Sequence, residues 1–280
     1  MNKNFKIFGV RQSLIGDMVM GLPVLEALEE RFPNSYKYFH VSRGHSEVAP
    51  IFFNHPLIDK IVISQVEGGY GERDVEISKS CDLSINTTPQ HPGPEDWFNH
   101  FSCVEETARM AGLNHLSVKG KRPKLSKWFD TKKEDKAISI WPFAGYAKAP
   151  SRSPSLEWWK KMVDLLIKEG YAIKHFGHYN EPRVSDSSGY SLCTSLSLFD
   201  QIKESLGCGV SVGTDSGSSW ILGAYGHPQV SLITNWLWGH RSNLLALAPE
   251  NCDNLNINIF SPGSLDRINQ EDVLSKIKNF

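Results

Sequence analysis

The sequence has few cysteines, no long apolar run and no surplus of charge. Its five cysteines are odd in number and form no Cys-x-x-Cys pair, which argues against a disulfide framework or a thiolate zinc site and favours a reducing compartment. No window approaches the roughly 20 apolar residues of a membrane-spanning helix, and the first residues show no apolar signal core. We therefore expect a cytoplasmic protein.

The charges of the chain nearly cancel, because 30 Lys and Arg stand against 31 Asp and Glu, a formal net charge of -1. Neutralising the phosphates of a nucleic acid requires a surplus of Lys and Arg, so nucleic acid is not an expected partner. The hydrophobic share of 40% and the charged share of 22% are those of a globular chain, and they exclude a disordered one.

Short apolar runs alternate with amphipathic helical patterns in the first part of the chain. Lys6–Val10 is the first predicted strand, and a helix is predicted over about Asp17–Arg31, with leucines on one face. Further strands are predicted at Tyr36–Val41, Ile58–Ile63 and Cys81–Ile85. Such alternation is typical of a parallel sheet covered by helices.

A lysine-rich segment, residues 114–136, interrupts the alternation and is predicted to be a linker. Its lysines are expected to form a solvated surface, and peripheral contact with an anionic membrane is the alternative. The alternation restarts with a strand at Ala137–Trp141 and a helix opened by Ser153-Pro154, with the serine as cap. The sequence therefore predicts an α/β protein of two Rossmann-like lobes, residues 1–125 and 126–280, whose parallel sheets face each other across a cleft.

The first of two candidate functional loops is Ser13–Asp17, between a predicted strand and a predicted helix. Ligands of open α/β sheets bind at this end of the strands. Gly16 lets the backbone approach a ligand, and the helix dipole favours an ionised carboxylate at Asp17. From the pattern alone, the commoner explanation is that Asp17 is only a helix cap.

The second candidate loop is Val212–Ser219, which follows a short predicted strand and precedes a helix. It is rich in glycine and hydroxyl groups, and free N–H groups at a helix N-terminus bind phosphate. It matches neither the Walker A sequence nor Gly-x-Gly-x-x-Gly. A capped turn without a ligand is therefore the alternative.

These two loops and their flanks resemble glycosyltransferase family 9, which includes the ADP-heptose:lipopolysaccharide heptosyltransferases. The stretch Arg11–Leu28 is similar to the family's opening signature, a Ser/Leu-rich loop, Gly-Asp and a helix that carries a proline. In the second half, Gly213–Gly217 and Ala224–Leu232 are similar to the family's Asp-Ser-Gly loop and Gly-x-Pro turn. The resemblance extends over most of the chain.

The resemblance implies a GT-B fold and an inverting glycosyltransferase that uses neither a metal nor a cofactor. The C-terminal lobe would bind a nucleotide-diphosphate sugar with a heptose-like sugar, and the N-terminal lobe a lipopolysaccharide-core or other glycan or glycolipid acceptor. Contact with the inner face of the membrane would be peripheral at most. No oligomeric state is implied.

The resemblance also implies roles for individual residues. Asp17 matches the family's catalytic aspartate and would be the general base. The other implied site residues are Ser13 and Gly16 on the acceptor side, Lys148, Arg152, Ser216, Gly217, Ser218 and Ser219 for the donor diphosphate, and Thr214, Asp215 and Trp220 for the donor sugar or nucleotide.

Two departures from the family pattern leave other functions open. Trp220 stands where the family has a histidine, and its indole would either stack on a donor ring or only pack. Lys148 lies upstream of the family's lysine position. The alternatives are a degenerate, non-catalytic sugar-nucleotide-binding or scaffold protein, and a GT-B sugar-nucleotide epimerase.

Two further motifs stay outside this assignment. His175–His178 follows a predicted strand and lacks an acidic partner of metalloprotease type, so it is predicted to be a turn after a core strand rather than a metal site. Trp236–Arg241 follows another predicted strand, and its aromatic rings suit packing and ligand stacking equally well.

Overall fold

The chain forms two compact units, each built on a parallel sheet. The computed structural model describes residues 5–11, 15–66, 70–86, 103–119, 121–144, 152–234 and 256–280. The two units are Met1–Trp128 and Phe129–Phe280. One has a four-stranded sheet and the other a six-stranded sheet.

Strands and helices alternate in the first unit. Its described elements are β1 (Lys6–Arg11), α1 (Ile15–Met20), α2 (Leu22–Arg31), β2 (Tyr36–Val41), β3 (Lys60–Ile63), α3 (Glu72–Lys79), β4 (Leu83–Asn86) and α4 (Cys103–Met110), with 3₁₀ segments at Arg43–Phe52 and His115–Val118. The strand order is β3-β2-β1-β4, and every neighbouring pair is parallel. β1 is therefore an interior strand that leads directly to the first candidate loop.

The close approach of β1 to β4 depends on a glycine. Ile7 and Phe8 of β1 are fully buried, as expected for a strand covered on both faces. Gly9 follows with φ of +138°, and a Cβ atom there would lie 2.1 Å from the Ile85 carbonyl oxygen. A side chain at this position would push the two strands apart, so glycine is required.

The second unit continues the alternation. Its described elements are β5 (Glu134–Trp141), α5 (Leu156–Lys168), β6 (Ala172–His175), β7 (Tyr190–Leu192), α6 (Leu198–Ser205), β8 (Cys208–Thr214), α7 (Gly217–Ala224), β9 (Gln229–Ile233), β10 (Asn256–Phe260) and α8 (Gln270–Ile277). The strand order is β10-β9-β8-β5-β6-β7, again parallel throughout. The chain moves outward on one side of β5 and then returns to build the other side from β8.

The predicted helix over Asp17–Arg31 is wrong as a single element. The structure has two helices, α1 and α2, because Pro23, in the first turn of α2, has no N–H group with which to continue the hydrogen bonds of α1. Proline is well tolerated only in a first turn. The predicted linker also contains more structure than expected, because His115–Val118 is helical and β5 begins at Glu134.

The predicted start of α5 is wrong by two residues. The N-cap is Ser155, whose Oγ accepts a hydrogen bond from Trp158 N at 3.2 Å. Ser153 Oγ instead accepts from Ala144 N at 2.8 Å and so fastens the segment after β5. Both serines are suitable cap residues, but the hydrogen bond from Ala144 occupies Ser153 and leaves Ser155 to cap the helix.

Replacing Ser155 with Ala should lower the free energy of unfolding by about 1 kcal/mol, because an N–H group of the first turn of α5 loses its acceptor. Urea unfolding of the full chain measures this loss. Ser155→Asn, which supplies another cap oxygen, should unfold close to the wild type. Equal stability of Ser155→Ala and wild type would show that Ser155 does not cap this helix.

Candidate functional site

The first candidate loop leads from an interior strand into a helix. Asp17 is the third residue of α1 and is half-buried, while Met18, Val19 and Met20 behind it are buried and anchor the helix. Asp17 is therefore inside the first turn rather than its cap. Gly16 lies in the same turn, and Ser13 lies outside the described residues.

The second candidate loop lies at the point where the sheet of the second unit reverses its strand order. β5 and β8 are adjacent and parallel, with Trp141 paired to Gly213. The segments that follow both strands therefore leave the sheet at the same edge. Open α/β sheets bind ligands at this topological switch point, outside the carboxyl ends of the strands.

An ion pair between a partly buried arginine and a buried aspartate joins the segments that follow β5 and β8. Arg152 Nη2 donates to Asp215 Oδ2 at 2.8 Å and to the Asp215 carbonyl oxygen at 2.7 Å. Asp215 is 6% exposed. Burial raises the pKa of the Asp215 carboxyl, while the Arg152 charge and hydrogen bonds from Arg152 and Trp220 act in the opposite direction. Asp215 and Arg152 are both predicted site residues, but the sequence does not indicate that they pair with each other.

Trp220 supports this ion pair from within the protein. Its indole is 5% exposed, and its side chain forms a hydrogen bond with the Asp215 carboxylate. The indole is therefore packed within the second unit, and its contact with a donor ring stays a prediction. A neutral N–H donor thus occupies the position where the family pattern has a histidine.

The N-terminus of α7 offers unused backbone donors. Ser216 is the N-cap but makes no capping bond with its side chain, which lies 2.8 Å from Ser218 Oγ. Ser219 Oγ donates to the Thr214 carbonyl oxygen at 2.6 Å and fixes the turn. Within the described ranges, the N–H groups of Gly217, Ser218 and Ser219 have no acceptor. Such donors, together with the helix dipole, form an anion-binding site.

A buried hydroxyl beside this turn is also unpaired. Thr214 is fully buried at the end of β8, and within the described part of the chain its Oγ1 has no hydrogen-bond partner. Unpaired buried polar atoms are rare and call for an explanation. Lys148, expected to contact the donor diphosphate, and Trp236–Arg241 lie outside the described residues.

Sequence reasoning missed a hydrogen-bonded network behind the segment after β6. His175 Nδ1 lies 2.5 Å from Tyr190 Oη and its Nε2 lies 3.2 Å from Glu181 Oε2. Val184 N donates to Tyr190 Oη at 3.3 Å, and since a carboxylate only accepts, Nε2–H of His175 donates to Glu181. His175 ends β6, as the predicted turn after a core strand requires. Glu181 and Tyr190 carry no local sequence signal for this contact.

The described residues contain no group of three or more His, Cys, Asp or Glu side chains placed to hold a metal ion. In the same ranges, no helix is long and apolar enough to span a membrane.

Known structures match the fold of almost the whole chain. A glycosyl transferase family 9 protein from Veillonella parvula matches with a TM-score of 0.73 and 14% identity, over 99% of this chain and 97% of that chain. E. coli ADP-heptose lps heptosyltransferase II matches with a TM-score of 0.65 and 14% identity, over 98% and 97%. E. coli heptosyltransferase WaaC, solved with ADP, matches with a TM-score of 0.65 and 13% identity, over 98% and 99%.

Comparisons of sequence alone find no match to a protein-family model and none to a curated protein. The structural matches nevertheless confirm the predicted fold. The chain has two α/β units on parallel sheets and the GT-B fold of the family 9 heptosyltransferases.

Replacing Arg152 with Met should lower the free energy of unfolding by about 3 kcal/mol at pH 7, because it leaves the buried Asp215 carboxylate without its charge partner. The loss should shrink as the pH falls to 5. Without Arg152 the pKa of Asp215 rises further, so the folded state takes up a proton that the unfolded chain does not.

The control for this prediction is the double variant Arg152→Met with Asp215→Asn, followed by urea unfolding at both pH values. It should lose less stability than Arg152→Met, since no unpaired charge stays buried. Equal losses for the two variants at both pH values would contradict the importance of the ion pair.

Proposed function

We propose that the chain is an inverting glycosyltransferase that transfers a heptose-like sugar from a nucleotide-diphosphate sugar to a lipopolysaccharide-core or other surface-glycan acceptor. The observation that carries this proposal is the open N-terminus of α7 beside the Arg152–Asp215 pair, at the switch point of a GT-B sheet. Backbone N–H groups and a guanidinium are the groups that stabilise a departing diphosphate.

In this proposal each unit has its own task. The N-terminal unit binds the acceptor, with Ser13 and Gly16 near the attacking hydroxyl, and the C-terminal unit binds the donor. Asp17 takes the proton of the acceptor hydroxyl as its oxygen forms a bond to the anomeric carbon. The bond from that carbon to the diphosphate breaks, and the leaving group departs with both electrons.

The charge that develops on the leaving diphosphate has partners in the second unit. Arg152, Lys148 and the N–H groups of Ser216–Ser219 are assigned to it. Thr214, Asp215 and Trp220 are assigned to the rest of the donor, and the unpaired Thr214 hydroxyl supports a ligand there. The motif resemblance implies that no metal takes part in this step.

A cytoplasmic setting fits the cysteines. Cys81, Cys193 and Cys208 are free thiols, as is usual in a reducing compartment. A lipid-linked acceptor would place the reaction at the inner face of the membrane. The donor to test first carries adenosine, since WaaC was solved with ADP and with ADP-2-deoxy-2-fluoro heptose.

A non-catalytic sugar-nucleotide-binding protein is the second candidate, and one observation favours it. The histidine of the family pattern is replaced by Trp220, which is buried against Asp215 instead. Such a protein would bind the donor without turnover. Hydrolysis or transfer of the donor sugar by the purified chain would exclude this candidate.

Donor binding should stabilise the fold. A nucleotide sugar at 100 times its dissociation constant adds about 2.7 kcal/mol to the free energy of unfolding, so thermal unfolding with ADP-, UDP- and GDP-sugars should identify the nucleotide by the largest rise in Tm. Gly217→Val places a branched side chain at the first turn of α7 and should abolish that rise while the unliganded Tm stays nearly unchanged. An equal rise in the variant would place the phosphate site elsewhere.

Asp17→Asn should lower the transfer rate by roughly 100-fold or more, because a general base typically contributes 10²–10⁴-fold. Affinity for the donor should change only a few-fold, since the base acts on the acceptor in the transition state. Initial rates of sugar transfer and donor titrations measure the two effects.

The matched control for Asp17→Asn is Glu26→Gln, which removes a half-buried carboxylate from α2 of the same unit. It should transfer sugar at close to the wild-type rate. If Asp17→Asn also did so, Asp17 would be a residue of the α1 first turn with no part in catalysis.

A further inference from the structure

The segment after β6 presents two neighbouring aromatic rings to solvent. The ring centroids of His178 and Tyr179 lie 4.3 Å apart, with 38° between the ring planes. Tyr179 is 71% exposed, so core packing does not account for an aromatic side chain at this position. Flat apolar surfaces with polar tips are suited to stacking against other rings.

The backbone beneath these rings is held by a buried glutamine. Gly177 N donates to Gln201 Oε1 at 2.7 Å, and Gln201 Nε2 donates to the Gly177 carbonyl oxygen at 3.1 Å. Gly177 has φ of +150°, and a Cβ atom there would lie 2.2 Å from Glu181 Oε2. Glycine is therefore required at this position, and the two hydrogen bonds from Gln201 hold the turn that leads to the ring pair.

A buried carboxylate holds the same turn from its other end. Glu181 Oε1 accepts from His178 N at 2.9 Å, and Glu181 Oε2 lies 3.2 Å from His175 Nε2. The Glu181 side chain is almost fully buried and His175 completely so. The backbone that carries the His178–Tyr179 pair is therefore held in place before any ligand binds, which lowers the entropy cost of binding to it.

The position of the pair relates it to the donor site. The Phe143 ring after β5 lies 6.3 Å from His175, and Arg152, farther along that segment, pairs with Asp215 after β8. Neighbouring strands are spaced 4.7–4.9 Å, so the ends of β6 and β8, two strands apart, are separated by about 10 Å. The pair follows the end of β6 by three and four residues. A nucleotide whose diphosphate lies at α7 can reach this distance with its base.

We infer that the His178–Tyr179 pair stacks against the nucleobase of the donor while the N-terminus of α7 holds its diphosphate. The inference rests on the proposed function, which requires a nucleoside diphosphate at this edge of the sheet. Stacking on an aromatic ring uses the π-face that every nucleobase has. The pair therefore supplies affinity for the nucleoside, and the choice among bases depends on other contacts.

The test replaces the exposed ring and leaves its anchors intact. ADP, UDP and GDP are titrated by calorimetry into the full-length wild type, Tyr179→Ala and Tyr179→Phe. Tyr179→Ala should weaken the best-bound nucleotide at least about tenfold, within the range for loss of one base–aromatic stack. Tyr179→Phe keeps the ring and should stay within about threefold of wild type. Both variants should keep the wild-type urea midpoint, because the side chain is exposed.

The outcomes separate this inference from the function on which it rests. Wild-type affinity in Tyr179→Ala, or an equal loss in Tyr179→Phe, would overturn the stacking role and leave the proposed donor site standing. A lowered urea midpoint in Tyr179→Ala would show that the ring acts on the fold of the segment, and this too overturns the role. If wild type binds none of the three nucleotides, the proposed function itself fails.

Discussion

The parallel pairing of β5 with β8 determines where the functional groups of the second unit meet. Two glycines permit it: a Cβ atom at Gly209 would lie 2.3 Å from the Asp135 carbonyl oxygen, and one at Gly213 would lie 3.0 Å from Trp141 Cβ. Strands this close leave the sheet at one level, so Arg152 reaches Asp215 across 63 residues of sequence. A larger residue at either glycine would disturb the ion pair as well as the sheet.

A cluster of buried hydroxyl groups extends this constraint to α6. Ser139 of β5 and Ser211 of β8 are hydrogen-bonded to each other, and Ser205 of α6 donates to Ser139 at 2.7 Å. The indole of Trp141 donates to Ser205 at 3.1 Å and completes the cluster. Gln201 lies one helical turn before Ser205 on the buried face of α6. The hydroxyl cluster that fixes α6 against the sheet therefore also positions Gln201, which holds Gly177.

The sequence predicts the elements whose signal is local and misses those whose cause is distant. Tyr36–Val41 is predicted with its observed bounds, because four of its six residues are aromatic or β-branched and clear breakers lie on both sides. The sequence does not predict β7, which is short, or β10, which alternates asparagine with isoleucine. Their place in the sheet depends on pairing with neighbouring strands. Ser155 rather than Ser153 caps α5 for a similar reason, because Ser153 is hydrogen-bonded to Ala144 of another segment.

In the candidate site, too, the sequence predicts individual residues but not the contacts between them, and Trp220 is an example. Asp215 and Arg152 could be named from a motif, but their mutual hydrogen bonds and the indole beside them depend on tertiary packing. A histidine in place of Trp220 would gain and lose a proton near neutral pH and change the charge next to Asp215. An indole N–H donates at every pH and carries no charge. The buried carboxylate therefore depends on the Arg152 guanidinium for charge compensation and on Trp220 only for a hydrogen bond, so pH changes near neutrality leave both donors unaltered.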